Sequence, residues 1–150
     1  LAALGRAEVV AAAIKDPREA DALLFRSNLL GNRGMARALV GDEGGLDEMR
    51  EALQISMDAG FSDSAGHQSS NLAQYVVAWR GPSAGIEILA EGIAFATSRG
   101  LQSHIAYHRE CELVCAYDLG EHDRLLDQAR APEQTFESSG WVYAPVDLRS

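Results

Sequence analysis

The chain has 150 residues, of which 47% are hydrophobic and 7% aromatic, and it carries a formal net charge of −9. That apolar fraction supports a continuous core and excludes a disordered chain. The 13 cationic residues are scattered without a basic patch, which argues against direct binding to nucleic acid or to an anionic membrane surface. No segment approaches the roughly 20 apolar residues that span a bilayer, and no signal peptide is visible.

Residues 1–14 read as a helix through Leu4, Val9, Val10 and Ile14. Asp16 can cap the next helix and Pro17 suits its first turn. Leu23, Leu24, Leu30, Met35, Ala38 and Leu39 carry that helix to Gly41, with a bend or fraying expected at Gly31 and Gly34. Gly41-Asp42 closes it, and Gly44 and Gly45 extend the turn. A helix from about Leu46 to Ala59 follows, its stripe formed by Leu46, Met49, Leu53 and Met57. Gly60 suits a left-handed cap.

The same pattern then recurs. Ser62, Asp63 and Ser64 offer caps for a helix reaching Trp79, and Gly81-Pro82 marks the turn. The partner helix carries Ile86, Leu89, Ile93 and Ala96 to Gly100. A third copy runs from about Ser103 to Leu119, turns at Gly120 and continues through Leu125, Leu126 and Ala129 until Pro132 removes a donor and breaks it. A short helix is expected before Gly140. Trp141 opens a fourth copy, bent at Pro145.

Two glycine sets mark a period of about forty residues, Gly60, Gly100 and Gly140 on one hand and Gly41, Gly81 and Gly120 on the other. After each inner glycine a large apolar residue recurs (Leu46, Ile86, Leu125), and further on a small one (Ala52, Gly92, Ala131). Knobs and holes in register suit helices that pack on copies of themselves. The fold expected is therefore all-α: antiparallel helix hairpins stacked in a right-handed α-solenoid. Residues 1–150 form one domain, with repeats at 17–60, 61–100 and 101–140 and partial copies at 1–16 and 141–150. The helix-like stretches at both ends read as an excerpt of a longer protein.

On these residues the chain resembles the tetratricopeptide repeat family. Arg33-Gly34 followed by Gly41-Asp42 resembles that family's first-helix glycine and inter-helix Gly-Asp. Asp16-Pro17 resembles its repeat-ending Asp-Pro, Ala52-Leu53 its small-then-leucine step, and Asn71-Leu72-Ala73 its Asn-Leu-Gly step. The period is longer than the family's, and Arg37, Val77 and Ala116 stand where its first-helix aromatic belongs. Longer repeats of this kind look like those in large bacterial regulators that couple an ATP-binding module to a cyclase or DNA-binding output. The resemblance implies that the first helix of each hairpin lines a binding groove. Carried over by register, the groove residues are Gln68, Asn71, Tyr75 and Trp79, then Tyr107, Glu110, Val114 and Tyr117.

Chemical constellations are few. His104, His108, Cys111 and Cys115 share one helix face, but spread over about 16 Å of rise they cannot converge on one ion. Two neighbours could do so only with help from another helix, so no metal is assigned. Cys111 with His108 lacks an orienting group and an oxyanion hole. The two cysteines are too close in sequence for a bridge to stabilise much, which makes the cytoplasm the expected compartment. Asp42-Glu43-Gly44-Gly45 has neither the lysine of a phosphate loop nor the alternating oxygens of a calcium loop. Glu110 and Glu112 point different ways. No catalytic residue and no cofactor is expected. The function expected is a non-catalytic interaction or effector-sensing scaffold within a signalling regulator, with a protein or peptide partner, another domain of the same chain included, and with self-association open. The alternatives are a spacer without a ligand and a metal- or thiol-dependent enzyme built around His104 to Cys115.

Overall fold

Glycines with positive φ punctuate an otherwise helical chain: Gly41 at 91°, Gly60 at 75°, Gly81 at 90°, Gly100 at 69° and Gly120 at 74°. The structure, a computed structural model, describes residues 20–130, and of 128–130 the backbone alone. The expected helix over 1–14, the Asp16-Pro17 cap, Ala131, Pro132, Gly140 and the copy from Trp141 lie outside the described residues. Between the glycines run α1 (Ala20–Leu39), α2 (Gly44–Asp58), α3 (Ser62–Arg80), α4 (Pro82–Arg99), α5 (Gln102–Asp118) and α6 (His122–Arg130). No strand occurs among the described residues.

Four of these turns close alike. The N–H after the glycine bonds the carbonyl five residues back: Asp42 to Arg37 at 3.0 Å, Phe61 to Ser56, Leu101 to Ala96 and Glu121 to Ala116 at 2.9 Å. This is the Schellman arrangement, which needs a left-handed residue at the glycine. Gly81 departs from it because Pro82 has no N–H to give; its own N–H bonds Val77 O at 2.9 Å, and Pro82 starts α4 where a missing donor costs nothing. Turn type therefore does not separate the two glycine sets, since Gly81 alone departs. Gly120 closes like Gly60 and Gly100.

Each helix packs on the next, and α1 also touches α3, as α3 touches α5. The core runs through Leu46, Met49 and Leu53 of α2, Leu72, Ala73 and Val76 of α3, and Ile88 and Leu89 of α4, reaching Cys115 of α5. Leu72 is 0% and Leu89 1% exposed, and burying each contributes about 1.5–3 kcal/mol. Leu46 and Ala52 are buried, Ile86 and Leu125 half-buried, and Gly92 is buried. Ion pairs fasten the first two helices: Glu48 of α2 accepts from Arg33, at 2.7 Å, and from Arg37, both on α1.

The fraying expected of α1 at Gly31 and Gly34 does not occur. The helix runs unbroken through both, and both are buried. Each glycine costs about 0.5–1 kcal/mol of helix stability relative to alanine, and each is retained where a neighbour comes close. A Cβ at Gly34 would stand 2.5 Å from Gly45 O, and one at Gly31 would collide with the Gln68 amide. Likewise α2 begins at Gly44, two residues earlier than expected, with Asp42 Oδ1 accepting the Gly44 N–H at 3.0 Å.

Candidate functional site

An open cleft of about 470 Å³ lies between α1 and α3. Leu24, Asn28, Asn32 and Met35 of α1 form one wall, their spacing placing them on one helix face. Ser64, His67, Gln68 and Asn71 of α3 form the other, with Phe61, Ser62 and Asp63 at the end where α3 begins. Leu24 and Met35 are half-buried and apolar, whereas Asn28 and Asn32 are exposed. An asparagine amide both donates and accepts, so the walls can pair with either kind of polar group.

Gln68 is the most constrained of these side chains. It is 7% exposed, its amide fills the space above Gly31, and its Oε1 has no hydrogen-bond partner. Such an acceptor costs about 1–3 kcal/mol while unpartnered. Oε1 lies against Gly31 and is closed to solvent, so a donor in the cleft reaches it only after the Gln68 side chain rotates.

The residues nominated by register separate. Gln68 and Asn71 line the cleft. Tyr75 is half-buried against the core instead, and Trp79, 37% exposed, stands beyond the cleft near the end of α3. On α5, Tyr107 is half-buried and its hydroxyl accepts from Gln74 Nε2 at 3.2 Å. Glu110 is half-buried, and burial pushes its carboxyl above the usual range. Val114 and Tyr117 are 63% and 66% exposed. The α1 wall escapes a reading of the sequence that applies the register to one helix at a time. The available signal is a pair of amides, Asn28 and Asn32, one turn apart on a helix whose other polar residues are mostly charged.

The His104–Cys115 face also divides. His108 is fully buried, and its Nδ1 donates to His104 O at 2.6 Å. A carbonyl can only accept, so Nδ1 carries the proton and Nε2 accepts from Ser69 Oγ at 2.9 Å. Burial lowers the pKa of this imidazole, partly offset by the bond to the carbonyl. Burial likewise pushes the Cys111 and Cys115 thiols up, away from the thiolate form that a nucleophile needs. His104 turns from the cysteines towards α3, where its Nε2 lies 3.1 Å from Asp63 Oδ1.

Compared with known proteins, the chain matches no family model, no curated protein and no solved structure. Among the described residues no helix is long and apolar enough to cross a membrane.

Proposed function

We propose that this chain is a non-catalytic recognition module, a stack of antiparallel helix hairpins of tetratricopeptide-like kind, and that the α1–α3 cleft receives an extended peptide segment of a protein partner. The observation that carries this reading is the pairing of exposed Asn28 and Asn32 on one wall with half-buried Asn71 and the buried, unpartnered Gln68 Oε1 on the other. A peptide backbone offers alternating N–H and C=O groups, which such walls can match. The half-buried Leu24 and Met35 supply an apolar floor for one side chain. The neutral, buried His108 and the raised thiols lend no support to an enzyme reading. In this proposal the module serves a larger cytoplasmic bacterial signalling regulator, and cleft occupancy biases one of two packings of the stack.

The test is selection from a display library of short peptides, followed by affinity measurement on the purified protein and on an Asn28→Ala/Asn71→Ala variant. Each lost hydrogen bond is worth about 0.5–1.5 kcal/mol, so the double variant is expected to bind about tenfold or more weakly. No enrichment, or enriched peptides indifferent to the variant, would move the weight to the spacer reading. That second reading draws on Tyr75, whose place against the core makes it a packing residue.

A further inference from the structure

At the rim of the cleft three potential ligands from two helices converge. Asp63 and His67 stand one turn apart where α3 begins, and His104 lies in the first turn of α5. The packing of α3 on α5 places His104 Nε2 at 3.1 Å from Asp63 Oδ1 and His67 Nε2 at 3.7 Å from Asp63 Oδ2. The two imidazole rings meet edge-on, their centroids 5.2 Å apart. One ligand atom from each residue lies within 4.8 Å of the other two.

We propose that Asp63, His67 and His104 form a site for a divalent transition metal of zinc type. Zinc bonds of about 2.0–2.2 Å in tetrahedral array separate ligand atoms by about 3.3–3.5 Å. The two distances to Asp63, one to each carboxylate oxygen, bracket that value, and all three ligand atoms lie within 4.8 Å of one another, so side-chain rotation alone can close them on an ion. Two imidazoles and one carboxylate suit a borderline metal and do not suit magnesium or calcium, which take oxygen shells. Three protein ligands leave a fourth position open. Asp63 and His67 also line the cleft, so the metal would stand at its edge.

The rest of the fold holds the least mobile ligand in place. The His104 side chain is 12% exposed, and its ring lies against Gly66, where any Cβ would collide with it. The His104 carbonyl accepts from His108 Nδ1, which is itself locked to Ser69. The opposing effect is the positive end of two helix dipoles, α3 and α5, which disfavours a cation. Asp63 supplies the negative charge that offsets it. The spacing of Asp63 and His67 on α3 brings those two together; the packing of α5 on α3 adds a third ligand, His104, from a second helix.

Metal-free, tag-free protein should be titrated with Zn²⁺ by calorimetry and with Co²⁺ by visible absorption. One saturable equivalent of Zn²⁺ and a rise in Tm are expected, with a Co²⁺ spectrum lacking thiolate charge transfer. His67 is 58% exposed in its side chain, so His67→Ala should keep its circular dichroism while losing about 100-fold in affinity, at or beyond the loss typical of outer-shell changes. Cys111→Ser/Cys115→Ser should bind like the parent protein. Absence of one-equivalent binding would overturn the assignment. So would binding that survives His67→Ala, or that shows thiolate charge transfer.

Discussion

Ser69 and His108 meet where α3, α4 and α5 come together, both fully buried, with Oγ 2.9 Å from Nε2. The contact is possible because α4 presents Gly92 there: a Cβ would collide with Ser69 Oγ and stand 2.9 Å from His108 Nε2. The polar pair is satisfied at every position, since His108 Nδ1 has the His104 carbonyl. A satisfied buried network is tolerated, whereas loss of one member leaves the other at a cost of about 1–3 kcal/mol.

Stability should fall on mild acidification because of His108. Its folded-state pKa is lowered by burial, while in the unfolded chain it returns to about 6.5. The unfolded state then binds the proton first, so this contribution is complete above about pH 6.5 and is lost as pH falls below it, by up to about 1.4 kcal/mol per pH unit. Urea midpoints measured between about pH 7.5 and pH 5.5 should show the loss. A His108→Gln variant, which keeps a partner for Ser69, should show a flatter profile. The Asp42 carboxylate, lowered by its hydrogen bond to Arg37, contributes above its unfolded value near 3.9 and is lost only below it, outside that window. A parent profile as flat as that of the variant would mean that His108 does not resist protonation.

Gly92→Ala should destabilise despite its gain of about 0.5–1 kcal/mol in helix propensity. Overpacking at Ser69 and His108 costs about 1–3 kcal/mol, which outweighs that gain. Adding Ser69→Ala removes the closest atom and should recover part of the loss, so the two changes should be non-additive in denaturation midpoints. Simple additivity would show that the crowding at this junction is relieved elsewhere.

Alanine at Gly45 should cost more than alanine at Gly31. At Gly45 the new methyl meets the Gly34 carbonyl and the Ala38 nitrogen, both backbone atoms of α1. At Gly31 it meets the end of the Gln68 side chain, which can rotate towards the cleft. Thermal unfolding of the two variants gives the order directly, with a loss of about 1–3 kcal/mol or more expected at Gly45 and less at Gly31. Equal losses would place Gln68 as rigidly as a helix backbone.

Both thiols should react slowly with alkylating reagents in the folded protein. Burial raises Cys111 and Cys115 above the ordinary thiol range, and the thiolate is the reacting form. Labelling followed by mass spectrometry should show rates rising steeply in denaturant. Fast native labelling of Cys111 would revive the thiol-enzyme alternative.

Much of the helix layout was legible in the residues themselves. Gly60 takes the left-handed φ expected of it, the helix before Gly100 ends there as read, and Gly81-Pro82 marks a helix break where a turn was expected. Of the stripe Leu46, Met49, Leu53 and Met57, the first three are buried as the spacing implied and Met57 is half-buried. These are local matters, decided by one residue's φ preference or by a 3.6-residue period. Gly31 and Gly34 show the limit of that reasoning. By propensity they are weak points, yet both lie inside a continuous helix, with Gly45 and Met49 of α2 crowding Gly34 and the Gln68 side chain of α3 crowding Gly31.

The candidate sites belong to that second kind of information. Asn28 and Asn71 become opposite walls, and His104 leaves its sequence neighbours Cys111 and Cys115 to join Asp63 and His67, only when α1, α3 and α5 lie side by side. The amino-acid sequence by itself determined where helices start, stop and present an apolar face, because those choices rest on each residue's own backbone freedom and on spacing along one helix. Which polar side chains meet was decided by tertiary structure alone, because contacts between alternate helices depend on rotation and offset that no single helix encodes.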